Sequence, residues 1–197
     1  MGELAEKTFS NKGSMTVAQI SEEWQCADPF VIARFVNHWE AVRDTNETLE
    51  LYIRALYIFS EGQRPIDFNQ ICKDSSLDDE TKSKRLGEIL IEGQRSSNEE
   101  YDCSSPELEE LCALAIESGA VGSKFSGAGW GGCSVSLVHK DKLAHLLQNM
   151  RTYYTKARPD DHKLEIPDSI ETALFETVPG QGACIIDPSG LAWFQEV

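Results

Sequence analysis

Four of the six residues from 127 to 132 are glycines, and this density limits how the chain can fold more than any other feature. Glycine loses more backbone freedom on folding than other residues, so it is favoured where the chain turns tightly or another group must approach closely. The flanking segments, Ala120–Phe125 and Cys133–Val138, are short and strand-like. The sequence therefore predicts two strands joined by a glycine-rich turn.

From the residues alone, this turn has two interpretations. Successive backbone N–H groups of a glycine-rich loop can surround a phosphate group. The alternative is a plain hairpin turn without a ligand. The loop does not follow the Walker pattern, because no Gly-Lys-Ser or Gly-Lys-Thr ends it.

The chain before Gly119 is predicted to be mainly helical. Residues 4–9 are the first helical stretch, and a break follows at residues 11–14. Thr16, with Gln19 three positions on, forms a capping-box pattern. A further helical segment is expected to begin at Asp28-Pro29, with proline at the first helical position.

The strongest helix of this half is expected from Leu49 to Phe68. Gly62 and Pro65 predict a kink or a stop near Gln63, because proline lacks the backbone donor and clashes with the preceding turn. Apolar residues recur there at helical spacing and predict a buried stripe, namely Leu49, Tyr52, Ile53, Leu56 and Phe59.

Two more helices are predicted in this half. The first includes residues 86–91, with Leu86, Ile89 and Leu90 on one face. The second begins at Ser105-Pro106 and ends at Gly119. Its apolar stripe is predicted at Leu108, Leu111, Cys112 and Ala115.

After Gly119 the chain changes character. Asp141–Tyr154 is predicted to be helical, and residues 157–168 form a polar connection. Ala173–Val178 and Ala183–Ile186 are predicted to form a second hairpin around residues 179–182. This element order predicts an α+β fold, with helices on one face of an antiparallel sheet, preceded by a helical segment.

Composition excludes several functional classes. The net charge is −15 with no basic cluster, which argues against nucleic acids and anionic membranes as partners. The six cysteines contain no CxxC pair and no zinc-ligand spacing, so we expect free thiols and no metal site. With no signal-peptide pattern and no apolar run of about 20 residues, the expected location is the cytoplasm.

The segment Gly119–Val135 resembles the third conserved motif of galactokinases, which are GHMP kinases. The resemblance extends to three further segments in the family's order. Leu51–Ala55 with Ser60-Glu61 and Arg64 is similar to the Leu-Tyr-x-Arg-Ala helix and the Ser-Glu-x-x-Arg that follows it. Leu86–Glu88 is followed at family spacing by Tyr101 and Ser105–Leu108. Pro179–Ala183 is similar to the closing Pro-Gly-Gly-Gly-Ala.

The resemblance implies a GHMP kinase C-terminal lobe, of ferredoxin-like fold, over residues 1–197. Residues 1–100 would be its mainly helical part, and residues 101–197 its α+β part. The implied function is the C-terminal domain of an ATP-dependent kinase that phosphorylates galactose or N-acetylgalactosamine at the anomeric hydroxyl. The implied cofactor-binding residues are Gly127, Ala128, Gly129, Trp130, Gly131 and Gly132. ATP and Mg²⁺ would be bound by the intact enzyme, and neither by this chain alone. The Trp130 ring could cover the loop or stack on a ligand, and packing is the expected role.

Two departures from the family pattern bear on activity. Where the family has Asn or Glu followed by Ser-His, this chain has Ile91–Gln94, and the family's Arg before the glycine-rich segment is Lys124. In addition, Gln181 replaces a glycine. These changes leave open a non-catalytic sugar and nucleotide sensor, or a free-standing interaction domain.

The family's sugar-binding segment, its nucleotide loop and its proposed catalytic Asp have no counterpart in this sequence. We therefore assign no catalytic residue and expect the chain alone to be inactive as a kinase. Met1 aligns past the midpoint of the family's chains, which suggests a truncated kinase. The expected partner is the missing N-terminal kinase lobe. An apolar face built to meet that lobe would favour self-association of the isolated domain.

Overall fold

The structure is a computed structural model that describes residues 2–25, 48–156 and 173–178. The chain falls into two units, Met1–Met150 and Arg151–Val197. The elements in chain order are α1 (Gly2–Thr8), β1 (Met15–Thr16), α2 (Val17–Glu23), β2 (Thr48–Leu49), α3 (Leu51–Lys73), α4 (Asp79–Glu99), α5 (Pro106–Glu117), β3 (Ala120–Ser126), β4 (Cys133–Val138) and α6 (Lys140–Lys156).

Side-chain caps explain where three of the helices begin. Thr16 and Gln19 form the predicted capping box at the start of α2. Asp78 accepts a hydrogen bond from the Thr81 amide, and Ser105 accepts one from the Leu108 amide, so each satisfies a free N–H of the first turn. Gly119, which follows α5, has φ +103°, a conformation that suits glycine at a helix end.

Helix α3 extends further than predicted. It continues through Pro65 to Lys73 without the stop expected near Gln63. Tertiary packing supports the second half, since α3 lies against α4 and Ile71 is buried. The buried residue in the first half is Tyr57, whereas the predicted stripe is only half-buried. Contacts with α4 therefore accompany the helical conformation of α3 and help stabilise it.

The buried face of α4 also differs from the prediction. Leu86, Ile89 and Leu90 are only half-buried. The buried residues are small or polar, namely Gly87, Gly93, Gln94, Ser96 and Ser97. Small side chains allow a helix backbone to approach its neighbour closely, and α4 has its most extensive contacts with β3. Hydrophobic spacing could not reveal a face of this kind.

Strands β3 and β4 form the predicted antiparallel hairpin. Its register pairs Ser126 with Cys133 next to the turn and Ala120 with Val138 at the other end, with an irregularity between Ala120 and Gly122. Helices α4 and α5 both pack against β3. A small core forms between these elements from Tyr57, Cys103, Leu108 and Phe125, with Tyr101 packed against it. The α+β prediction is thus confirmed.

The strand predicted at Ala173–Val178 is not present. These residues form a turn and an irregular segment, with Phe175 and Val178 largely exposed. A strand needs a hydrogen-bonded neighbour, and its predicted partner, residues 183–186, lies outside the described residues. The expected helix at Asp28 and the closing segment 179–182 also lie outside them. Among the described helices, none has the length and apolar character needed to cross a membrane.

Candidate functional site

The glycine-rich loop, residues 126–132, adopts a backbone that few residues other than glycine tolerate. Four of its residues, Gly127, Gly129, Gly131 and Gly132, have φ between +90° and +141°. Trp130 has φ +55°, which is uncommon for a residue with a side chain. The backbone conformation of the loop therefore requires the glycines that were predicted to form a turn.

The loop is attached to the rest of the domain at its middle. The Trp130 amide donates to the Cys103 carbonyl at 2.7 Å, and the Trp130 indole N–H donates to the Asp102 carbonyl at 3.0 Å. A Cβ placed on Gly129 would lie 1.9 Å from the Cys103 oxygen. The linker between α4 and α5, residues 100–105, thus holds the loop through two hydrogen bonds and one close backbone approach.

The rest of the loop faces open space. A Cβ on Gly127, Gly131 or Gly132 would meet no atom within 4 Å. Apart from that of Trp130, the amides of residues 127–132 make no hydrogen bond within the described part of the chain. The Trp130 side chain is 65% exposed and its indole N–H donates to the linker, so any packing of the ring buries only a minor part of it. The two roles expected for the ring, covering the loop or stacking on a ligand, stay predictions. A loop of this form can offer several N–H donors to an anion.

A charge cluster lies where β3 leads into the loop. Lys124 forms an ion pair with Glu61 of α3, and Glu61 also accepts from Arg64 at 2.7 Å. The side chains of Lys124 and Arg64 are only 16% and 12% exposed. A Cβ on Gly93 would lie 3.1 Å from the Lys124 side chain. The absence of a side chain at position 93 therefore makes room for Lys124.

Gln94 connects three elements beside this cluster. Its side-chain oxygen accepts from the Phe125 amide at 2.8 Å. Its nitrogen donates to Ser104 at 3.0 Å and to Glu109 at 2.6 Å. Residues 93, 94 and 124 all depart from the family pattern, and the structure brings them together around the end of β3. Sequence reasoning noted these departures separately and did not predict that they meet.

We expect Glu61→Gln to lower the free energy of unfolding by about 2 kcal/mol, because it leaves the largely buried Lys124 and Arg64 without their shared carboxylate. Urea unfolding of the two proteins measures the difference. Glu6→Gln is the matched control: its ion pair with Lys12 is 57% exposed on both sides, so its loss is expected to cost less than about 1 kcal/mol. Equal effects of the two substitutions would contradict the structural role of the cluster.

A groove of about 670 Å³ lies between α3 and α4. Its lining mixes Arg64 and Arg85 with Asp67, Asp74 and Glu88. Charges of both signs lie close together there and offset each other, so the groove indicates no ligand class. Within the described ranges, no three His, Cys, Asp or Glu side chains are grouped as metal ligands.

The isolated histidines and cysteines have ordinary surroundings where they are described. His139 shares a hydrogen bond with Ser83, and His145 with Asn149. Burial raises the pKa of the Cys112 thiol, which disfavours a reactive thiolate. Cys72, Cys103, Cys112 and Cys133 are free thiols. The expectation of no catalytic role for these groups stays a prediction.

Comparison with known proteins places this arrangement in a family. Residues 79–156, which include α4, α5, the hairpin and α6, match the family "GHMP kinases C terminal". This part of the chain therefore belongs to the GHMP kinase C-terminal family.

Among full-length relatives, the chain corresponds to the C-terminal portion of galactokinases. It is 34% identical to the galactokinase of Dictyostelium discoideum, in a match that covers 93% of this chain and 38% of that protein. It is 32% identical to the galactokinase of Saccharomyces cerevisiae, over 72% of this chain and 27% of that protein. The chain thus spans well under half of the relatives that it matches.

A solved structure shows a weaker similarity. The Lactococcus lactis galactokinase, crystallised in complex with galactose, aligns with 54% of this chain and 26% of its own, with a TM-score of 0.46 and 24% identity.

Proposed function

We propose that this chain acts as the C-terminal domain of an ATP-dependent sugar kinase that phosphorylates galactose or N-acetylgalactosamine at the anomeric hydroxyl. The observation that carries the proposal is the glycine-rich loop. Its middle is attached to the α4–α5 linker and its remaining amides are free to donate, in a chain homologous to galactokinases. Residues 1–197 would serve as one domain of a cytoplasmic enzyme, completed by an N-terminal lobe.

The contribution of this chain to the reaction is positioning and charge stabilisation. Phosphoryl transfer depends mainly on alignment of the two substrates and on neutralisation of charge around the phosphates. The loop amides other than that of Trp130 would support the nucleotide's phosphate loop on the other lobe, or the phosphates themselves, through backbone N–H groups. Mg²⁺, when bound, would neutralise phosphate charge. We assign its ligands and the catalytic base to the N-terminal lobe, because this chain lacks the corresponding segments.

A chimeric enzyme tests the proposal. The part of the Dictyostelium galactokinase that this chain matches, 38% of that protein, would be replaced by this chain, and ATP-dependent phosphorylation of galactose and of N-acetylgalactosamine would be measured. We expect turnover of at least one sugar by the chimera and none by the chain alone. Gly131→Val in the chimera is expected to lower turnover at least about 100-fold while the protein stays folded, because the added side chain would occupy the open side of the loop.

Unfolding of the isolated Gly131→Val chain, measured in parallel, separates loss of activity from loss of fold. Part of its effect on stability comes from φ +141° at this position. A folded chimera that binds neither sugar nor ATP would contradict the proposal.

The main alternative is a sensor that binds sugar and nucleotide without turnover. It is favoured by the departures at residues 93, 94 and 124, which alter the support beneath the loop. A chimera that binds both ligands but transfers no phosphate would support this alternative over the kinase.

A further inference from the structure

We infer that the α4–α5 linker is the element that positions the glycine-rich loop, with Asp102 as its positioning residue. Gly127, Gly131 and Gly132 face open space, and the hydrogen bonds that loop residues 127–132 make within the described part of the chain all go from Trp130 to this linker, which Gly129 also approaches closely. The strands hold the two ends of the loop, and the linker holds its middle. The inference rests on the proposed function only in what it predicts for the KM values of the chimera.

The backbone of Asp102 gives the linker its shape. Its φ is +58°, in the left-handed region that Asp and Asn tolerate better than other residues with side chains. Directly after the Cα of this residue, the consecutive carbonyls of Asp102 and Cys103 both accept hydrogen bonds from Trp130, at 3.0 and 2.7 Å. A residue that pulled position 102 out of this conformation would redirect both acceptors at once.

The linker itself is held firmly to α3 and α4. The amides of Tyr101 and Cys103 donate to the carbonyls of Ser96 and Ser97, at 3.2 and 3.0 Å. Arg54 of α3 donates to the Glu100 carbonyl at 2.7 Å. Cys103 is only 2% exposed. Both helices thus secure the linker before it meets the loop.

The core beneath the linker adds a second attachment. Tyr57 of α3 packs against Tyr101 with the rings tilted by 31° and their centroids 4.6 Å apart, and its hydroxyl shares a hydrogen bond with Ser97 at 3.2 Å. The path from α3 to the loop is therefore continuous: Tyr57 and Arg54 hold the linker, and the linker carbonyls hold Trp130. This path makes the loop rigid at its middle while its outer amides stay free for a ligand.

Hydrogen exchange on the 197-residue chain tests this inference without any assay of catalysis. Asp102→Val disfavours the left-handed conformation, and we expect it to raise the exchange rate of the Trp130 amide about tenfold. Asp102→Asn removes the charge but keeps the conformation accessible, so exchange is expected to stay within about twofold of the original. Trp130→Phe removes the indole donor and is expected to raise exchange at residue 130 about fivefold.

If Asp102→Val prevents folding, Trp130→Phe and Asp102→Asn decide the question. Unchanged exchange at residue 130 in Trp130→Phe, or exchange raised about tenfold in a folded Asp102→Asn variant, would overturn the inference. The first outcome would mean that the linker does not hold the loop, and the second that the carboxylate matters rather than the backbone.

A kinetic test of the inference uses the chimera described above. We expect Asp102→Val to raise the KM for ATP about tenfold and to leave the KM for the sugar within about twofold, with rescue by Asp102→Asn. A merely destabilising substitution would not separate the two constants, so equal changes in both would count against a positioning role. An inactive chimera whose isolated chain still shows the expected exchange pattern would refute the proposed function and leave the positioning role supported.

Discussion

Gly129→Ala is expected to lower the free energy of unfolding by about 3 kcal/mol. Two separate costs contribute. At φ +90° any side chain is strained, at about 1–2 kcal/mol. The new Cβ would also lie 1.9 Å from the Cys103 carbonyl oxygen, a backbone atom held in place by the linker. Relief of that overlap would displace the loop or the linker, at a further 1–3 kcal/mol or so.

Gly127→Ala separates these two costs. Gly127 has a similar φ of +97°, but no atom lies within 4 Å of its added Cβ. This variant is therefore expected to lose only the strain, about 1–2 kcal/mol. Urea unfolding of the three proteins gives both differences. If Gly127→Ala costs as much as Gly129→Ala, the close approach to Cys103 contributes nothing to stability, and the described attachment of the loop is wrong.

Gly87→Ala is expected to destabilise the chain by about 2–3 kcal/mol, although alanine is the better helix former. In an exposed helix this change would add about 1 kcal/mol of stability. Gly87 lies in α4 where the helix meets β3, and its Cβ would be 2.0 Å from the Val121 carbonyl oxygen. From the other side, a Cβ on Gly122 would be 2.4 Å from the Gly87 oxygen. Helix and strand therefore meet backbone to backbone.

Gly62→Ala is the matched control. Gly62 lies inside α3, and nothing is within 4 Å of its added Cβ. We expect this variant to gain about 0.5–1 kcal/mol from helical propensity and reduced freedom of the unfolded chain. Thermal or urea unfolding of both variants should thus give changes of opposite sign. A gain in both would show that α4 does not approach β3 as closely as described.

The glycines of the loop and of α4 show where sequence reasoning reaches its limit. The pattern of the chain marked Gly127–Gly132 as a turn, because dense glycine between two strand-like segments is typical of a tight turn. The same patterns gave no sign that Gly87 is needed for packing, because a single glycine inside a helical pattern indicates only a slightly less stable helix. Only the position of β3 beside α4 explains why a side chain there is excluded.

Helix α3 illustrates the same division. Local rules correctly placed a helix from near residue 50, and they also predicted a kink or a stop near Gln63 from Gly62 and Pro65, of which the stop does not occur. Packing against α4 overrides that local preference and carries the helix to Lys73. In a helix interior, glycine costs about 1 kcal/mol and proline about 3 kcal/mol relative to alanine, and contacts with a neighbouring element can offset such penalties.

Patterns that extend over a few residues were enough to predict the caps at Thr16 and Ser105, the hairpin around the glycine-rich loop, the α+β order and the resemblance to galactokinases. Which distant residues meet became visible only in the folded chain. The ion pair of Glu61 with Lys124 joins residues 63 positions apart, and the linker carbonyls reach Trp130 from 27 and 28 positions away. Local patterns do not encode such separations, because they follow from how helices and strands pack together rather than from the spacing of residues along the chain.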